Sequence, residues 1–169
     1  MKLIFIISLF FSTLLVSQDD VFIEEIRSQM NIAFKNEAAA LPLYNKIKAQ
    51  PNKRGLLLGY WGAINFAQAS HVNIFRKMSF VNIGKKHLEK AIKQEPQSLE
   101  LHFLRLIIQS RLPKFINYRQ SIDSDKIFLI NNINTGREKL KRNILKFAQA
   151  SEYFNAKEKK LINKNVILN

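Results

Sequence analysis

Cysteine is absent from this chain. That excludes disulfides, thiolate metal sites, a cysteine nucleophile and lipid attachment at a lipoprotein cysteine. Glycine and proline are scarce, with 5 and 4 copies in 169 residues. An all-β fold needs both at its tight turns, so the scarcity argues for long helices between few breakers. Acidic residues are also short. Thirteen Asp and Glu face 27 Lys and Arg, a formal net charge of +14. Such a balance favours anionic partners such as acidic lipid, polysaccharide or nucleic acid, although the positive charge is spread along the chain rather than held in one block. No nucleophile elbow, HExxH motif or Gly-rich phosphate loop is present, so no hydrolase or nucleotide chemistry is legible. His71, His87 and His102 lie on separate segments without ligand spacing. No metal or cofactor is therefore expected.

What is present is ordinary globular composition, 47% hydrophobic and 24% charged, in a length that suits one domain. The chain begins MKLIFIISLFFSTLLVSQ, with Lys2, an apolar run from Leu3 to Val16, and then Ser17. This is the plan of a secretory signal peptide. The run falls short of the roughly 20 residues that span a bilayer. Residues 1–17 are read as this address, with cleavage after Ser17 and an uncleaved anchor as the alternative. The remainder is expected in the periplasm or outside the cell.

The mature chain reads as successive amphipathic helices. Val21, Phe22, Ile26, Met30 and Ala33 form the first stripe, and Ala39, Leu43 and Ile47 the second. Pro42 either kinks that second helix or belongs to its first turn. GLLLGYWGAINFAQAS is the most apolar segment, and Gly59 and Gly62 permit close approach of a neighbouring helix. HVNIFRKMSF reads as an irregular or helical linker. Phe80, Ile83, Gly84, His87, Leu88, Ala91 and Ile92 face inward from the next helix, which Pro96 ends. Ser98 is positioned to cap a helix with Leu101, Leu104, Ile108 and Leu112 inside. Asp123 or Ser124 would cap the one after it. Thr135 with Glu138, and Asn155 with Glu158, have capping-box spacing. From the first, Leu140, Ile144, Phe147, Ser151 and Phe154 share a face. The tail from Arg137 onward carries nine Lys or Arg and three Glu.

Gly84, Leu88, Ala91 and Pro96 are spaced so that two small residues let helices touch, a large one fills the gap and proline stops the helix. This resembles the ending of a tetratricopeptide repeat, and Ala39, Leu43 and Pro51 echo it, with Lys46 in place of the second small residue. The arrangement also resembles small exported bacterial proteins of uncharacterised function. The resemblance implies an all-α array of antiparallel helical hairpins over residues 18–154, capped by a basic C-terminal helix over 155–169. An irregular helical bundle uses the same helices and is the alternative. In the repeat family, partners dock on a concave face built by the first helix of each pair. Carried onto this chain, the exposed inward positions are Asn65, Gln68, Arg105, Gln109 and Arg111. The implied activity is binding of a protein or peptide in the cell envelope, without catalysis. Binding of anionic envelope lipid or polysaccharide through the basic tail is the second expectation, and an enzyme with an unrecognised site the third; nucleic acid is not expected, because an exported chain seldom meets it and no recognition motif is present. Tyr60 and Trp61 suit a stacking platform or a packed core. Phe75, Arg76, Lys77, Phe115, Tyr118 and Arg119 suit a contact patch or packing against the array.

Overall fold

Asn36 ends the first internal helix break and caps the helix that follows, with a side chain that accepts a hydrogen bond from the backbone N–H of Ala38 at 2.8 Å. Ser98 does the same for Leu101 at 3.4 Å, as expected. Such caps satisfy N–H groups that a helix start leaves unpaired. They set the boundaries of an all-α fold, described by a computed structural model over residues 18–167. The expected signal segment and its cleavage point lie outside the described residues. Among those residues there are eight α-helices, one 3₁₀ turn and no strand. None of the helices is long and apolar enough to cross a membrane.

The helices are α1 (Gln18–Ala33), α2 (Glu37–Lys48), α3 (Gly55–His71), α4 (Ile74–Gln94), α5 (Leu99–Arg111), α6 (Ile122–Asn132), α7 (Glu138–Ala150) and α8 (Ala156–Ile167). From α1 to α6 each helix packs on the next, α1 and α5 both also touch α3, and α8 rests on α6 and α7. Burial divides into two apolar clusters. The first draws on α1–α4 and one face of α5, through Leu101, Leu104 and Ile108. The second takes Leu99, Phe103 and Leu106 from the other face of α5, together with α6, α7 and α8. Helix α5 is thus a shared wall. Each fully buried Leu or Ile in these clusters contributes about 1.5–3 kcal/mol.

Helix α3 is the axis of the first cluster. No charged residue occurs between Arg54 and Arg76, and α3 is buried on nearly all sides. It meets α4 at glycines. A Cβ on Gly62 would lie 2.8 Å from the backbone nitrogen of Leu88 and 2.9 Å from the carbonyl of Gly84. Because those neighbours are backbone, they cannot turn aside. Ala91 lies 3.6 Å from the position of a Cβ on Gly59. The expected small-residue seam is therefore real.

Several boundaries and faces differ from expectation. Val21 is exposed, and Ile23 takes its place in the core. Pro42 sits past the first turn of α2, with its ring in solvent. Of the two readings of HVNIFRKMSF the helical one holds from Ile74 on, where Asn73 accepts from the N–H of Arg76 at 3.2 Å and starts α4. Asp123 and Ser124 lie inside α6, which starts after Ser121. The Thr135 hydroxyl donates back to the carbonyl of Asn132 at 2.8 Å, so its capping box with Glu138 does not form. The second box does. Glu158 N–H donates to Asn155 Oδ1 at 3.0 Å and Asn155 N–H donates to Glu158 Oε2 at 2.8 Å. Helix α8 then buries Ile162 completely. Lys126 ties α6 to α8, donating to the Tyr153 carbonyl at 2.9 Å and to Glu158 at 3.2 Å.

Candidate functional site

A groove opens on the face to which α1, α3, α5 and α7 all contribute, with a cavity of about 190 Å³. Met30 of α1 and Phe34 just beyond it, Phe103, Leu104 and Ile107 of α5, and Leu140 of α7 make it mainly apolar. The spacing of Phe103, Ile107 and Arg111 follows from helical geometry: steps of four return to one face. The first two therefore line the groove and Arg111 reaches its mouth.

At one end lies a polar cluster. Arg27 donates from Nε and Nη2 to the two carboxylate oxygens of Glu100, each at 2.6 Å. This fork geometry is the strong form of a charged hydrogen bond. Tyr60 donates its hydroxyl to the same Glu100 oxygen at 2.5 Å. Arg137 approaches Glu100 at 3.6 Å and pairs with Glu24, which also accepts from Arg27 at 2.8 Å. Burial opposes the charge of Arg27, but hydrogen bonding and attraction from Glu100 outweigh it and raise its pKa. Burial pushes the Tyr60 hydroxyl up as well, and the nearby Glu100 charge adds to this, so Tyr60 stays a neutral donor. Hydrogen bonding from Arg137 leads in holding the Glu24 carboxyl below its usual range.

The four charges of Arg27, Arg137, Glu24 and Glu100 cancel. Arg111 and Lys139 also line the groove, and neither has an ion-pair partner among the described residues. The site therefore joins an apolar wall to two unneutralised cations. It presents no nucleophile paired with a base.

The five residues expected on the concave face separate. Arg111 is exposed and lines the groove. The expectation of exposure fails for Asn65, Gln68, Arg105 and Gln109, all of which are buried. Asn65 donates to the carbonyl of Trp61 at 2.7 Å within its own helix. Gln109 accepts from the N–H of Ser121 at 3.2 Å and so anchors the start of α6. Gln68 is enclosed in α3, and its amide nitrogen has no hydrogen-bond partner. These positions point inward because α3 and α5 are covered on two sides, where an array helix with one wet face was expected.

Arg105 belongs to a second ionic network, between α4, α5 and α6. It donates to both oxygens of Asp125, at 2.8 and 2.7 Å, and to Glu89 at 2.8 Å. Tyr118 donates to Glu89 at 2.6 Å. His102 faces Asp125 at 2.7 Å and stacks on Phe128 with 3.9 Å between ring centroids. Tyr118 is fully buried and stacked on Phe66, which makes it packing rather than patch. Trp61 packs on the first core cluster beside Tyr44 at 5.0 Å, and Tyr60 is buried. Both therefore belong to the core.

Sequence reasoning missed Arg27, Glu100, Arg137 and Lys139. Arg27 and Glu100 are 73 positions apart, and no local pattern links them. The available signal was Glu100 two places after the Ser98 cap, an acidic residue beside a helix start that already had its cap. No protein-family model, characterised protein or solved structure matches this chain.

Proposed function

We propose that this chain is a non-enzymatic interaction module that holds an acidic, partly apolar peptide segment of a partner protein in the α1/α5/α7 groove. The observation that carries the reading is the pairing of an apolar wall with the unneutralised Arg111 and Lys139. Whole small-molecule ligands occupy pockets of roughly 300–1,000 Å³. A cavity of about 190 Å³ suits an anchor side chain from a peptide crossing the surface. One Leu or Phe of the partner would pack against Phe103, Ile107 and Leu140, and a flanking carboxylate would meet the two cations. The tetratricopeptide-like reading of the array belongs to this proposal: the helices contributing to the groove are the first of successive pairs. The signal-like composition of residues 1–17 supports an encounter in the cell envelope.

Selection of random displayed peptides on the immobilised chain tests this. Enriched peptides should combine Asp or Glu with Leu or Phe, and enrichment should vanish on an Arg111→Glu/Lys139→Glu chain. Selection of peptides that bind both chains equally, or of none, would sink the reading.

A further inference from the structure

The α3–α4 and α5–α6 connections leave large apolar side chains in water. Phe75 is 91% exposed, Phe115 76% and Ile74 60%, with Met78 also outside. Isolated surface apolar residues are ordinary, but two bare phenylalanines with apolar neighbours are not. They belong to one end of the fold. Glu89 of α4 meets Arg105 of α5, and Lys85, one turn earlier in α4, reaches the carbonyl of Asn117 beyond α5. The two helices are therefore antiparallel, and the loop after α5 runs toward the start of α4. Tyr118 stacking on Phe66, near the end of α3, fixes the same relation.

The two connections themselves are basic, and the acids nearest the end of α5, Asp123 at the start of α6 and Glu152 beside Ser110 and Arg111, come from other elements. From Ser70 to Leu88, and from Leu101 to Ile122, there is no Asp or Glu. Arg76 and Lys77 follow Phe75, and Lys114 precedes Phe115. The α1–α2 turn, held beside α3 by His71 and the Ala33 carbonyl at 2.8 Å, adds Lys35 and Glu37, which cancel. None of these side chains lines either of the two cavities described among these residues. They are protrusions, and a protein partner would have to supply the pockets. A bilayer interface accepts aromatic and aliphatic protrusions without shaped pockets, while its phosphates attract the interleaved cations.

We infer that this end docks on an anionic lipid surface, with Ile74, Phe75 and Phe115 entering the headgroup boundary and Arg76, Lys77 and Lys114 facing lipid phosphates. The proposal uses no residue that lines the groove.

The absence of native cysteine allows a clean test. In the full chain, Ser79→Cys places one polarity-sensitive fluorophore on α4 beside the patch, and Gln97→Cys places one at the opposite end. Mixed phosphatidylglycerol–phosphatidylcholine vesicles should blue-shift the label at position 79 and leave that at 97 unchanged. Pure phosphatidylcholine should have little effect at either site. Adding Phe75→Ser and Phe115→Ser should weaken the vesicle response about tenfold or more. Equal shifts at both labels would assign adsorption to another part of the chain and overturn the proposal. So would no shift, or an equal shift with neutral vesicles. A shift that grows with protein concentration without lipid would assign the patch to a second copy and overturn it as well.

Discussion

Two arginines in this fold each grip a carboxylate in a two-pronged fork, and each network includes a buried tyrosine donor. Arg105 holds Asp125 and Glu89, and Tyr118 completes the set. Arg27 holds Glu100 and Glu24, and Tyr60 completes the set. The residue types nearly repeat, yet the surroundings differ. The Asp125 side chain has no exposure at all, whereas Glu100 keeps some at 13% and lines an open groove. In both, burial works against the arginine charge and the partner carboxylate more than restores it. The difference teaches that an ion pair's role is set by what lies over it. The Arg105–Asp125 pair is enclosed among three helices, and its network reaches solvent at its edge, through Glu89. The open one stiffens a wall that a ligand can touch.

The largest test of this contrast is Asp125→Ala, which leaves Arg105 enclosed without its main counter-charge. Urea unfolding should register a loss of about 3–5 kcal/mol. A loss below about 1 kcal/mol would mean that water reaches the site, and the distinction between sealed and open would collapse. Next is Glu100→Gln. Arg27 can turn toward solvent in the groove, so the loss should be about 1–2 kcal/mol. If it equals that of Asp125→Ala, the two networks are alike after all. Charge reversal at Arg111 and Lys139 should change stability by less than about 0.5 kcal/mol, because neither residue has an ion-pair partner among the described residues, while retention of selected acidic peptides falls.

The smallest effect comes from outside both networks. His87 has its pKa lowered, first by burial and then by Lys86, Lys90 and Lys53. The folded state therefore resists its protonation. Its stabilising contribution is present above the ordinary histidine value of 6.5 and is lost as pH falls through that value toward the lower folded one. His87→Gln should flatten the stability profile over that window. An unchanged profile would remove His87 as its source.

Which features were legible in sequence follows from how local they are. Ser98 and Asn155 cap as expected because a cap needs only the next three residues. Thr135 has the same spacing as Asn155 but fails, because a 3₁₀ turn at Ile133–Thr135 occupies it and its hydroxyl is already committed to Asn132. Gly84, Leu88 and Ala91 announced a helix seam, and Gly62 against Gly84 supplies it. The groove was beyond reach, since its charged cluster joins residues separated by most of the chain. Arg105 and Gln109 were misplaced for a related reason. Helical periodicity gives a face, and only tertiary packing decides whether the opposite face is wet. The uncharged stretch of α3 was the one sequence sign that its polar residues, Asn65 and Gln68, would be enclosed.

The Glu24–Arg137 contact spans 113 positions, in a fold whose helices otherwise pack mostly on near neighbours in sequence. Such a clasp can close only after α1, α5 and the start of α7 have been assembled, so it belongs to the late part of folding. Contacts absent from the folding transition state act on the rate of opening. Cutting this clasp should hasten unfolding and leave the folding rate unchanged, making it a brake on the loss of the groove rather than a step in its construction.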